Sequence, residues 1–257
     1  MKIIKHNLGN FESIDILALA DTHIGDINSN FKRLQKLLEW VLAAENRFVI
    51  LNGDLCDLAV RASIGDIYSQ NLMPMQALEQ CVKIFGPVAP RTLSVAPGNH
   101  ELRVWKSDGI DFTQLMCSQL DIADRYSNAS SLLFVRFGGH YHAQHGRPVC
   151  YSIFHEHGSG GGRTEGAKIN RLVQLSSIID ADVYIHSHTH TPIVTKNAYF
   201  RVSAANSSVS KIDRLFVNTS SFLEYGGYGE FQGFKPNSID TPIIHLDGRK
   251  RGITATL

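Results

Sequence analysis

The stretch IDILALADTH, residues 14–23, runs an apolar segment of strand length straight into an Asp-x-His pair. Near-continuous apolar character suits a strand inside a layered α/β sheet, where both faces are covered. Asp21 and His23 stand at alternate positions just past its end, so both side chains can point the same way and share one cation. Working outward, the construction repeats. RFVIL (47–51) leads into Asn52-Gly53-Asp54, and TLSVA (92–96) into Pro97-Gly98-Asn99-His100-Glu101. A strand at 149–155 ends in His155-Glu156-His157-Gly158, and DVYIH (182–186) in His186-Ser187-His188-Thr189-His190. Open α/β sheets place their sites at these carboxyl ends.

Further strands are expected at 131–137, forming a hairpin with 149–155, and at 242–246. Phe31, Leu34, Leu37, Leu38, Val41 and Leu42 recur at three and four, which predicts a helix with one buried face, capped by Asn28 or Ser29. Ile169, Leu172, Val173, Leu175 and Ile179 predict another over 164–179, and shorter helices are expected around 74–86 and 111–121. Alternation of strands and helices favours an α/β sandwich with mixed sheets. Residues 1–257 read as a single domain without linker or repeat, with long loops at 57–73 and 222–240.

Lys and Arg number 25 against 24 Asp and Glu, so overall charge makes no case for a long nucleic acid or a membrane surface, although a local patch remains open. Cys56, Cys81, Cys117 and Cys150 are far apart, without a CxxC pair, and read as free thiols in a reducing cytoplasm. No apolar run is long enough to span a membrane, and nothing suggests export, so a cytoplasmic location is expected.

Asp21-x-His23, Gly53-Asp54, Gly98-Asn99-His100-Glu101, His157-Gly158 and Ser187-His188-Thr189-His190 resemble the ordered motifs of calcineurin-like metallophosphoesterases, over about two thirds of the chain. Phe216 to Ser221 resembles the strand that follows the last motif in that family, with Thr219 and Ser220 where proline and glycine are usual. Ser187 stands where glycine is commoner. The fold implied is a four-layer sandwich of two mixed β-sheets flanked by helices.

The resemblance also implies two divalent metal ions. Asp21, His23, Asp54 and His190 would hold one, and Asp54, Asn99, His157 and His188 the other, with Asp54 bridging. Mixed oxygen and nitrogen donors suit Mn, with Fe or Zn as alternatives, better than Ca or Mg. The implied reaction is hydrolysis of a phosphate ester by a metal-activated water, in which His100 takes a proton role, oriented by Asp21 or Glu101. A phosphodiester in a nucleotide or short nucleic acid is favoured, because Glu101 follows His100 as in many diesterase-type members. A phosphomonoesterase acting on a nucleotide or phosphoprotein is the alternative, and a non-catalytic binding scaffold a further one. Asn99, Arg103 and Arg163 are candidate substrate contacts.

Other residues carry competing readings. His155 alternates onto the same face as His157, but the glycine after His157 matches the family motif. His186 reads as a strand residue beside the site, and His140, His142 and His145 as the polar turn of a hairpin. Gly158 to Gly162 reads as a phosphate cradle or a flexible turn, and Tyr225 to Phe231 as a stacking wall or a packed loop.

Overall fold

The structure is a computed structural model and describes residues 1–60, 70–138, 148–226, 230–231 and 233–257. The turn expected to carry His140, His142 and His145 lies outside those residues. Among the described residues eleven strands and five α-helices follow in the order β1 (Lys2–Asn7), β2 (Ser13–Leu19), α1 (Phe31–Leu42), β3 (Arg47–Asn52), α2 (Pro74–Phe85), β4 (Thr92–Ala96), α3 (Asn99–Asp108), α4 (Phe112–Gln119), β5 (Ser131–Arg136), β6 (Cys150–His155), α5 (Glu165–Gln174), β7 (Val183–His186), β8 (Ile193–Ser203), β9 (Ser208–Asn218), β10 (Ile243–Asp247) and β11 (Gly252–Thr256). They build a six-stranded sheet, β1-β5-β6-β7-β9-β8, and a five-stranded sheet, β11-β10-β2-β3-β4. Both are mixed: β2, β3 and β4 run parallel beside antiparallel β10, while β6, β7 and β9 run parallel between the antiparallel pairs β5–β6 and β8–β9.

Alternation along each strand separates the layers. In β2, Ile14, Ile16 and Ala18 face the other sheet, while Leu17 and Leu19 face the helices. Phe48 and Ile50 against Val49 and Leu51 do the same in β3. From the six-stranded sheet, Ile153, Val183, Ile185, Leu215 and Val217 complete the layer between the sheets. The outward side chains Phe154, Tyr184 and Phe216 pack with Leu172 and Leu175 of the α5 region. Tyr184 and Phe216 stack with ring centroids 4.8 Å apart. The result is the expected four-layer sandwich of two mixed sheets flanked by helices.

Some local expectations are corrected. The cap of α1 is Asn30, whose side chain accepts from Arg33 N at 2.9 Å, in place of Asn28 or Ser29. Regular α5 ends at Gln174 and passes into a 3₁₀ turn over Leu175–Ser177. Cys56 and Cys81 are joined as a disulfide, with Cα atoms 7.4 Å apart, and Cys117 and Cys150 are free. Among the described residues no helix is long and apolar enough to cross a membrane.

Candidate metal centre

Five strands, β2, β3 and β4 of one sheet and β6 and β7 of the other, release their chains at one edge of the sandwich. The turns there are sharp. Asp21, His23, Asp54, His188 and His190 all have positive φ, between 45° and 66°. Such backbone is uncommon for residues other than glycine and costs on the order of 1–3 kcal/mol each, so it persists where the surroundings enforce it. Glycine is needed where two of these turns touch. A Cβ at Gly53 would come within 2.4 Å of Gly98 N, and one at Gly98 within 2.1 Å of Asp54 Oδ1.

The loops bring the predicted side chains together in three overlapping groups: Asp21, His23 and His190; His23, Asp54 and His100; and Asp54, His157 and His188. His190 Nε2 lies 3.1 Å from Asp21 Oδ1 and 3.5 Å from His23 Nε2. On the other side His157 Nε2 lies 3.0 Å from Asp54 Oδ2 and 3.2 Å from Asn99 Oδ1. Asp54 thus faces both halves. Asp21, His23, Asp54 and His157 are buried, whereas the side chains of His100 and His190 are 15% and 26% exposed, which puts the mouth of the site on their side.

Burial works to raise the carboxyl of Asp54, but His157 and His100 beside it hold it well below the ordinary value. Burial likewise works to lower His157, and the Asp54 carboxylate overrides it and pushes the imidazole up to about 10. His188, with no carboxylate so close, is pushed down by burial to about 4. Cations and protons compete for these atoms. Asp21 Oδ1, His23 Nδ1 and His188 Nδ1 are buried without a hydrogen-bond partner, an expensive condition unless a ligand meets them. Oxygens and imidazoles in this density fit divalent metal ions of the Mn, Fe or Zn kind.

The sequence matches a family profile described as calcineurin-like phosphoesterase over residues 14–192 of the 257. The chain belongs to the calcineurin-like phosphoesterase family. A search of curated proteins finds no match. Among solved structures the chain is similar to vacuolar protein sorting 29 from Cryptosporidium parvum, at 12% identity and a TM-score of 0.45 over 96% of this chain and 98% of that one. It is also similar to a metallophosphoesterase from Sphaerobacter thermophilus (14% identity, TM-score 0.43, 95% and 89% covered) and to the calcineurin-like phosphoesterase YfkN from Bacillus subtilis (15%, 0.36, 95% and 90%). At such identities, and with TM-scores below 0.5, none of these likenesses bears on what the chain does.

Within this phosphoesterase core, several residues around the ligands were not legible from the motifs. Asp57 is the main one. Its Oδ1 lies 2.5 Å from His100 Nδ1 and 3.7 Å from His23 Nδ1. Despite burial, which works to raise it, the close contact with His100 and the nearby imidazole of His23 hold its carboxyl far below the usual range. Asp57 therefore takes the orienting place expected of Asp21 or Glu101. Glu101 instead turns inward and accepts the backbone N–H groups of Asp54, Leu55, Cys56 and Gly98 at 2.7–3.0 Å, which fixes the Gly53-Asp54 turn. The only sequence signal for Asp57 was its place three residues past Asp54.

Arg103 lies against His100, its two terminal nitrogens 3.2 and 3.1 Å from the two ring nitrogens. Arg163 is exposed and sits over the Phe234 ring, 5.7 Å from its centroid. His155 is fully buried, bonded through Nδ1 to Asn52 Oδ1 and through Nε2 to Ser94 Oγ, both at 2.8 Å. His186 bonds Asn218 Oδ1 at 2.9 Å, and neither imidazole is in the three groups. Both departures from the family motifs have partners. Thr219 Oγ1 donates to Asp21 Oδ2 at 3.3 Å, and Ser187 Oγ accepts from Asn52 Nδ2 at 2.7 Å.

Proposed function

We propose that this chain is a dinuclear metal-dependent phosphodiesterase, a single catalytic domain spanning residues 1–257, acting on a nucleotide or short nucleic acid. The observation that carries the reading is the position of Asp54, shared between the His23–His100 group and the His157–His188 group. Asp21, His23, Asp54 and His190 would hold one ion, and Asp54, Asn99, His157 and His188 the other. We take Mn as the native metal. When bound, two such ions supply charge for the phosphate oxygens and a hydroxide near neutral pH.

The chain's own residues supply the rest. His100, at the mouth, hands a proton to the leaving oxygen, with Asp57 holding its Nδ1 and fixing the ring. Arg103, fanned across the same imidazole, offers a guanidinium to a phosphate oxygen on the solvent side, and Asn99 presents its amide beside His157. Glu101, being committed to backbone N–H groups, no longer speaks for diester over monoester. The preference is read from hydrolysis of the two ester types side by side.

The test is hydrolysis of bis-p-nitrophenyl phosphate beside p-nitrophenyl phosphate, with Mn added, by wild type and Asp54→Asn. Diester preference that vanishes in the variant is expected. Monoester preference would make the enzyme a phosphatase, and no metal-dependent turnover of either ester would sink the catalytic reading.

A further inference from the structure

Cations gather on one side of the mouth, where nothing in the metal centre requires them. Lys168 of α5 reaches Thr191 Oγ1, the residue directly after His190, at 2.5 Å. Arg171, one turn on, donates to the carbonyl oxygen of Ser159, two residues past His157. Arg163 lies over Phe234 just before the helix, and the next residue after that ring, Lys235, pairs with Glu165 at 2.7 Å. The two histidine-bearing loops of the six-stranded sheet are thus each bonded to a cation of α5, Lys168 and Arg171, with Arg163 and Lys235 at the start of the same helix. Lys235 is close enough to Lys168 for the two charges to repel. Among the described residues the one ion pair made by any of the four is Lys235 to Glu165, whose side chains are 72% and 60% exposed. A pair so exposed holds weakly and yields readily to a better anion.

The chain as a whole is nearly neutral, with a formal charge of +1, so a local excess of this kind is a placed feature and not a consequence of composition. It also lies on the side of His190, whose side chain is 26% exposed. Lys168, bonded to the residue after His190, brings this positive charge beside the centre, and Lys235 and Arg163 continue it around the start of α5. Phe234, 43% exposed, adds an aromatic surface among them.

We propose that Arg163, Lys168, Arg171 and Lys235 form a subsite for a second phosphate group, so that the diester cleaved at the centre carries a further phosphate beyond the scissile one. The inference rests on the phosphodiesterase reading above and narrows it. A nucleic-acid strand and a small nucleotide with a terminal phosphate share that chemistry.

The experiment compares kcat/KM, with Mn added, on bis-p-nitrophenyl phosphate, on thymidylyl-thymidine with and without a terminal phosphate, and on a short oligothymidylate. The terminal phosphate is expected to raise kcat/KM about tenfold, a gain that shrinks as salt is raised because the contacts are solvent-exposed. Lys235→Gln, at an exposed position that folding does not need, is expected to reduce that gain three- to tenfold, roughly the value of one exposed charge-assisted contact. Lys168→Gln should act in the same direction, and Lys36→Gln on the distant face of α1 should change nothing. A larger effect on the oligothymidylate than on the small dinucleotide would assign the second phosphate to a strand, and the reverse to a nucleotide. Turnover of bis-p-nitrophenyl phosphate with no gain from the added phosphate would overturn the subsite alone. No turnover of any diester by the wild type would overturn the phosphodiesterase reading and this inference with it.

Discussion

The two sheets contribute unlike halves to the centre. The five-stranded sheet delivers Asp21, His23, Asp54, Asn99 and His100, a mixture of carboxylate, amide and imidazole, while the six-stranded sheet delivers only imidazoles, His157, His188 and His190. Neither half is a metal site. The carboxylates need the other sheet's histidines beside them, and the histidines need a shared anion, so the centre exists only as far as the face-to-face packing of Ile16, Ile50, Ile153, Val183 and Ile185 holds the two edges in register. Side chains also tie the edges directly, Asn52 at three points. Asn52, at the end of β3, donates to Glu156 O at 2.8 Å and Ser187 Oγ at 2.7 Å, and accepts from His155.

The largest break in this asymmetry is Asp54→Asn. Because that carboxylate faces both groups, metal analysis should show loss from both positions, and kcat/KM should fall by more than about a thousandfold. His188→Asn, from the imidazole half, should remove one ion and leave the other. Equal metal loss in the two variants would end the assignment of Asp54 as the bridge.

Next in size is His100→Ala, which should lower kcat by about a hundred- to a thousandfold while metal content stays at the wild-type level. Asp57→Asn should follow it with a smaller loss, roughly ten- to a hundredfold, since it removes the group that orients the imidazole and not the imidazole itself. A variant at Asp57 with unchanged kcat would show that the 2.5 Å contact has no part in turnover.

Asn52→Ala tests the clasp itself. It leaves the Glu156 carbonyl, the Ser187 hydroxyl and His155 Nδ1 without their partner in a buried place. Unpartnered buried groups cost about 1–3 kcal/mol each, so partial relaxation should leave a loss of about 2–3 kcal/mol in urea unfolding. Metal affinity should fall with it, by about ten- to a hundredfold. Lost stability with unchanged affinity would mean that the sheets stay in register without the clasp.

How much of this the sequence revealed follows from burial. Strands covered on both faces must be apolar nearly throughout, so β2, β3, β4 and β7 stood out, and their carboxyl ends carried the ligands with them. β1 and β8 are edge strands with solvent on one side. Their mixed patterns, KIIKHN and IVTKNAYFRVS, gave no run to read. Of the long β8–β9 hairpin only the end of β9 at Phe216 was read, from the family resemblance, because Phe200, Val202 and Val209 farther out are exposed and belong to no core. Among the site residues, the candidate ligands were legible because each sits within four residues of a strand's end. Asp57 was not, because only the left-handed turn at Gly53-Asp54, held by Glu101, sends the chain back so that a residue three positions on meets His100. The Cys56–Cys81 pairing was hidden likewise, α2 being brought against that loop by the tertiary fold.

The smallest effect concerns the clasp's partner, His155, and is read as a pH slope. Burial lowers its pKa to about 3 from an ordinary value near 6.5, so the folded chain keeps it neutral, with Nδ1–H donating to Asn52 and Nε2 accepting from Ser94. The unfolded chain takes up a proton first as pH falls. Its stabilising contribution is therefore complete above about pH 6.5 and declines below it, by at most about 1.4 kcal/mol per pH unit, until the folded form also protonates near pH 3. His186 and His188, lowered by burial as well, add slopes of the same sign. In metal-free protein, His155→Asn, which keeps a donor toward Asn52 but cannot titrate, should remove about one proton from the uptake on unfolding between pH 6 and pH 4. A slope identical to the wild type's would mean that His155 is protonated in the fold, and that Asn52 binds the six-stranded sheet through a charged partner instead of a neutral one.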